Sequence, residues 1–273
     1  MLLLALLSCG DKDTAAQTER LPGGTVAGSE SCTDGICEIP SGKFWMGIDD
    51  DAVFDAPLHQ VALSAYAIDQ TEVVRADWTR CVEAGVCEAI PPHCDQAEED
   101  VDPDQLPVVC ISWQQASSYC TWTGGRLPTE AEWEKAARGD DGALWAWGPV
   151  PPTCNTANHR FPPAYCETGP LVVGSYSGTS AYGLYDTVGN VWEWTADWYD
   201  FVYYKEAPDG DPPGPSGEDC AETIDGIEMT CRFRVMRGGA YNTTESNTRA
   251  AVRSPVLPHV FDVNIGVRCA YDR

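Results

Sequence analysis

The sequence predicts a mixed domain of short strands and a few helices, with ordered loops taking the place of extensive regular structure. Two helix starts, at residues 112 and 129, are spelled out by their capping residues. Stretches before residue 70 read as strands, and from Asp140 onward Gly, Pro and aromatic residues dominate without a long hydrophobic period. The 273 residues suit one large domain or two small ones, and a hydrophobic fraction of 43% is ordinary for a chain that buries a core.

The chain opens Met1-Leu2-Leu3-Leu4-Ala5-Leu6-Leu7-Ser8-Cys9, an apolar run that looks like a bacterial lipobox with Cys9 as the lipidated residue. It is too short to span a bilayer, which takes about 20 apolar residues. It also lacks the basic residue that opens a signal peptide, so the start is expected to be placed late. Residues 1–9 are therefore expected to be a signal segment and residues 10–36, rich in small and charged residues, a flexible acidic tether. Residues 37–273 form the folded domain in this reading.

Lys43 to Gly47 reads as a strand entering a turn, and Val61 to Ile68 alternates weakly as a second strand. Thr71 to Ala84 is predicted helical, with Gly85 as a left-handed cap. Ser112-Trp113-Gln114-Gln115 and Thr129-Glu130-Ala131-Glu132 both carry the capping-box pattern. Trp113, Ala116 and Cys120 share one face of the first of these helices. Ala131, Trp133, Ala136 and Ala137 point inward from the second, which Gly139 ends. Pro128 separates the two. Pro208 to Glu218 is a turn-rich, exposed excursion.

With Cys9 set aside, 12 of the 13 cysteines remain, an even number that reads as disulfides in an exported chain. Local spacing pairs Cys32 with Cys37, Cys81 with Cys87, Cys154 with Cys166 and Cys220 with Cys231. Cys94 with Cys110 completes the local set, leaving Cys120 and Cys269. Zinc is disfavoured, since no CxxC occurs and His59, His93, His159 and His259 are scattered. The acidic run Asp100 to Asp104 is not an EF-hand: Gln105 stands where the loop needs Gly and Ile111 where it needs Glu. A formal charge of -25 excludes nucleic acid as a main partner and limits membrane contact to a lipid anchor. No phosphate-cradling loop, dinucleotide fingerprint or Gly-x-Ser-x-Gly elbow is present.

Four blocks, Gly124 to Gly139, Tyr182 to Tyr199, Arg237 to Tyr241 and Asn264 to Ala270, match in order and approximate spacing those of the formylglycine-generating enzyme (sulfatase-modifying factor) domain. The chain resembles that family across its folded part. The resemblance implies an α+β, C-type-lectin-like fold with low regular secondary structure, which periodicity alone would not reach. It also implies a long-range disulfide between Cys120 and Cys269. A calcium ion is implied on the side chains of Asp186 and Glu193 and the carbonyls of Gly189 and Val191. A second calcium site would use Asn158 and the carbonyl of His159, its other ligands lying beyond a stretch around Cys166 to Val173 that does not align with the family. Calcium suits such loops because it accepts six to eight oxygens in irregular geometry. The bland alternative is that Asp186 and Glu193 cap turns.

The family's enzymes oxidise a substrate cysteine with O2 and copper held by two thiolates, the first of which follows the third block almost at once. No cysteine occurs between Gly238 and Arg268. Hydroxyls and amides in Asn242 to Thr248 are poor Cu(I) ligands, so copper is not expected. The histidine triad of the related ergothioneine-pathway enzymes is missing too. What remains is the groove that holds a peptide in the enzymes, with Asn242, Thr243, Arg249 and Arg253 as candidate lining; Arg237 and Arg268 are read instead as buried ion-pair partners. The expected function is an exported, lipid-anchored, calcium-stabilised module of a bacterial cell envelope that binds a peptide, glycan or protein ligand. The alternative is an oxidase or maturation enzyme acting on a protein cysteine.

Overall fold

The computed structural model describes residues 31–49, 57–94, 101–216, 222–224, 227–229 and 232–273. In chain order, the strands before the first helix are β1 (Cys32–Thr33), β2 (Ile36–Ile39), β3 (Gly42–Met46), β4 (His59–Leu63) and β5 (Tyr66–Asp69). Three helices follow, α1 (Arg75–Glu83), α2 (Trp113–Trp122) and α3 (Glu130–Arg138). After β6 (Trp192–Trp198) come a single helical turn α4 (Tyr203–Glu206) and the hairpin of β7 (Glu222–Ile224) and β8 (Ile227–Met229). The chain closes with β9 (Arg234–Arg237), β10 (Ser254–Val256), β11 (Ile265–Gly266) and β12 (Ala270–Asp272).

One sheet has the order β1-β2-β5-β12 and is antiparallel throughout, so the first and last strands of the domain share it. A second sheet runs β10-β9-β6-β11, with only β11 parallel to its neighbour. The consecutive strands β11 and β12 thus enter different sheets. Cys269 lies between them and is bonded to Cys120 of α2, across 149 residues of chain. The local pairs 32–37, 81–87, 94–110 and 154–166 also form. The expected pair Cys220–Cys231 lies outside the described residues, as do Cys9 and the signal segment. Among the described residues no helix is long and apolar enough to cross a membrane.

Three boundaries differ from those expected. Ordered structure begins within the expected tether, because the Cys32–Cys37 bond and the positive-φ pair Asp34–Gly35 close a hairpin that docks on β5. Val61 to Ile68 is two strands, since β4 pairs with β3 while β5 pairs with β2 and β12. Ser64 sits at the break, giving its backbone N–H and its hydroxyl to the Asp211 carboxylate at 2.7 and 2.8 Å. Finally, α1 starts at Arg75 because Val73 bonds laterally to Val267 and Val108 instead of joining a helix. Both capping boxes are present as read, on Ser112 with Gln115 and on Thr129 with Glu132.

Every residue of α3 is buried, its charged ones included. Glu130 accepts from Arg237 at 2.9 Å and from both Nε and Nη2 of Arg253 at 2.7 and 2.9 Å. Glu134 accepts from Arg138 at 2.7 Å, from the Gly47 N–H at 2.7 Å and from Arg237. The network therefore joins α3 to β9, to the loop before β10 and to the end of β3. Burial alone would raise the Glu130 carboxyl, but Arg253 and Arg237 hold it below its ordinary value. At Asp197 the balance is the other way: burial raises the carboxyl to about 7 and Glu130 beside it adds to the rise, which the Glu130 N–H at 2.6 Å and Arg253 offset only in part.

Replacing Arg237 by Leu takes from the buried Glu130 and Glu134 the cation they share, leaving each with one arginine, so about 3–5 kcal/mol of stability should be lost in urea denaturation. Asp197 behaves oppositely with pH. Its unfolded carboxyl titrates at about 3.9, so the folded state holds the proton more tightly. The stability this contributes is complete below about pH 4 and lost as pH rises through about 7. Asp197→Asn should flatten the decline of melting temperature between those limits; an unchanged profile would assign the decline elsewhere.

Candidate functional site

The loop before β6 is pressed against residues 157–159, and its sequence follows from that contact. A Cβ on Gly189 would lie 2.0 Å from the Asn158 carbonyl oxygen, and its φ is +84°, so only glycine fits. The next residue, Asn190, donates its backbone N–H to that carbonyl at 2.8 Å. Its side chain then branches: Oδ1 accepts from Leu171 N–H at 2.9 Å, and Nδ2 donates to Glu72 Oε1 at 3.1 Å. Asn190 thereby links the two expected calcium sets into one buried polar array.

Within that array the expected ligands have different fates. Glu193 receives both Arg268 Nη2 and Nε at 2.6 Å and Trp133 Nε1 at 2.6 Å, all buried. Arg268 also donates to the carbonyls of Asp69, Gln70 and Tyr185, which fixes it in place. Glu193 is thus the counterion of Arg268, with both of its oxygens engaged. Asp186 sits at φ +58° and accepts from Gly174 N–H at 2.6 Å. Burial raises its carboxyl, and Glu193 adds to the effect. Val191 is fully buried in an apolar cluster with Cys94, Val109 and Cys110.

In the second set, Asn158 Oδ1 is buried and accepts no hydrogen bond, while its Nδ2 donates to Gly169 O at 2.9 Å. The His159 carbonyl accepts from Cys166 N–H at 3.0 Å, and its ring Nε2 is buried without a partner. Among the described residues no three His, Cys, Asp or Glu side chains converge on a metal position. Asp186 and Glu72 are hydrogen-bonded to each other, burial raises both carboxyls, and the neighbouring Arg268 is already paired with Glu193. Of the expected ligand side chains, the unpartnered Asn158 oxygen and the Asp186 carboxyl fit a hard cation, while Glu193 is engaged by Arg268.

The candidate groove is reshaped in the same way. Arg253 is buried on Glu130 and stacked over Tyr199 and Tyr204 at 4.7 and 4.4 Å, so it faces the core rather than a groove. Arg237 and Arg268 occupy buried ion pairs, as read from the sequence. Asn242 is exposed and accepts from Asn264 at 3.0 Å. Thr243 is tied into its turn, its hydroxyl accepting from Ala240 N–H and its carbonyl from Arg160 N–H. Arg249 is half-buried, with Nε on the Ser246 carbonyl at 2.9 Å. The bridge of Arg160 to Thr244 brings the exposed rings of Phe161 and Tyr165 beside this turn. Sequence reading passed over Glu72, Asn190, Phe161 and Tyr165. Only Asn190, inside a recognised block, carried a signal.

Known proteins give the same framework. The family profile described as "Sulfatase-modifying factor enzyme 1-like domain" matches residues 24–273. A formylglycine-generating enzyme from Streptomyces coelicolor is 33% identical over 299 residues, spanning 88% of this chain and 90% of the relative. "Inactive C-alpha-formylglycine-generating enzyme 2" of Mus musculus is 29% identical over 293 residues, spanning 86% and 85%. Treponema denticola variable protein 1 superposes with a TM-score of 0.71 over 87% of this chain and 95% of its own, at 23% identity, which speaks for the fold. The chain belongs to the formylglycine-generating, sulfatase-modifying factor family, and it has that family's α+β, C-type-lectin-like, disulfide-rich fold.

Proposed function

We propose that this chain is an exported lipoprotein of a bacterial envelope whose domain binds a partner where the family's enzymes oxidise one. One observation carries the reading: between Gly238 and Arg268 there is no cysteine. The ten cysteines of the described residues are all disulfide-bonded and hold no thiolate for Cu(I). In place of the first thiolate stands a turn of hydroxyls and amides, with Phe161 and Tyr165 exposed along it. Exposed aromatic rings beside polar backbone suit a peptide, glycan or protein ligand. Calcium, held from Asp186 and the Gly189 and Val191 carbonyls with Asn158 nearby, would stiffen the loops around this surface rather than take part in chemistry. The contrary reading, an oxidase acting on a protein cysteine, draws on the chain's 33% identity to an enzyme.

The two readings separate on metal content and turnover. Purified protein should contain calcium without copper or iron, show no reactive thiol under denaturing conditions, and leave a cysteine-bearing sulfatase peptide unconverted. Aldehyde formed with copper and O2 would establish the oxidase instead. Calcium is tested separately by melting with and without chelator. The parent protein should melt lower in chelator by several degrees, whereas Asp186→Asn, with one buried charge fewer, should respond less. Equal responses would place the ion elsewhere.

A further inference from the structure

The described disulfides differ in how far they are covered. Four of them include at least one cysteine of the core: Cys37, Cys81 and Cys94 are at most 1% exposed, and Cys120 and Cys269 are both fully buried. Cys154–Cys166 has no buried member, since Cys154 is exposed and Cys166 half-buried. Thiol–disulfide exchange requires a thiolate to reach one sulfur in line with the bond it breaks, so access separates this pair from the others.

The ring of His159 sits against its more covered end. His159 is fully buried, and its Nδ1 lies 3.5 Å from Cys166 Sγ and 3.3 Å from the Ala157 carbonyl oxygen. Neither a carbonyl oxygen nor a disulfide sulfur carries a hydrogen, so Nδ1 holds one and donates it in both contacts. The Cys166 N–H bonds the His159 carbonyl at 3.0 Å, which keeps ring and sulfur together. A sulfur departing with negative charge gains from such a donor, because ionised acceptors take stronger hydrogen bonds than neutral ones. Exposure thus makes Cys154 the sulfur to attack, and the donor makes Cys166 the one that leaves.

We propose that Cys154–Cys166 is a thiol-exchange site for an external dithiol. The dithiol's thiolate attacks Cys154 Sγ, and the electron pair of the broken S–S bond leaves on Cys166 Sγ, which accepts from His159 Nδ1. The second thiol then attacks the mixed disulfide and expels Cys154. The protein bond gains two electrons, the dithiol becomes a disulfide, and its two protons end on the freed cysteines. Exchange releases the loop between the two cysteines, which carries the exposed rings of Phe161 and Tyr165. It stands independently of whether those rings bind anything.

The test treats the folded full chain with dithiothreitol, quenches by alkylation and maps the labelled cysteines by mass spectrometry. Cys154 and Cys166 should be labelled at least about tenfold faster than the other four described pairs, whose exchange waits on opening of the core. Glutathione, a monothiol that stops at the mixed disulfide, should be found on Cys154, with Cys166 alkylated. His159→Phe removes the donor and should spread the adduct over both sulfurs. His159→Asn, whose side-chain amide supplies a replacement N–H, should keep it on Cys154; a general loosening of the loop would not tell these two variants apart. Repeating the treatment with a protein that bears a Cys-x-x-Cys dithiol separates the sources, since a higher rate at equal concentration makes the donor a protein and an equal rate a small dithiol. Equal labelling of all described pairs, earlier opening of another pair, or a glutathione adduct on Cys166 in the parent protein would overturn the proposal. These three outcomes need no variant, so they hold even if a His159 substitution fails to fold.

Discussion

A helix whose every residue is buried, charged ones included, sets the terms for the rest of this molecule. Glu130 and Glu134 project from α3 into an interior that offers no water, so each must be met by fixed cations. Arg237 arrives from β9, Arg253 from the segment before β10, and Arg138 from the helix itself. Those cations in turn place the strands that carry them. Helix, sheet and third sequence block are held to one another by charge pairing as much as by apolar contact. Arg253 is further enclosed by Tyr199 and Tyr204, and Arg234 lies between Trp113 and Trp198 at 3.7 and 3.6 Å. Basic residues are scarce in this acidic chain, and several of them are spent inside it.

A second constraint acts at the chain's end. Arg268, Cys269 and Ala270 are consecutive and tie three parts of the fold. Arg268 neutralises Glu193 of β6, Cys269 is bonded to α2, and Ala270 pairs with β5 opposite the N-terminal hairpin. Loops dominate the space between these anchors. They stay ordered because disulfides and side-chain bonds to the backbone replace the ladders that regular structure would supply. The 242–248 turn is held by backbone and amide bonds to Ala240, Arg160 and Asn264, none of which involves sulfur. The absence of cysteine from this turn leaves those ties intact.

Much of the fold was legible because its signals are local. Capping boxes at Ser112 and Thr129 involve residues three apart, and the short disulfides close small loops, so neighbours in sequence suffice to read them. Arg237 and Arg268 were readable as buried partners because they flank core strands. The splitting of Val61 to Ile68 was not legible, since the two halves serve different sheets whose other strands lie far along the chain. Nor was the fate of Arg253, whose partner Glu130 is 123 residues away.

By itself the sequence determined the family framework, the helix starts, the pairing of nearby cysteines and the missing sulfur ligands after Gly238. These depend on residue identity and short spacing. Only the tertiary structure decided that Glu193 answers Arg268, that Asn190 joins the expected cation sites, and that Glu72 lies buried against Asp186. The reason is physical: whether a carboxylate binds a metal, an arginine or nothing depends on which charges share its desolvated volume, and that is fixed by packing.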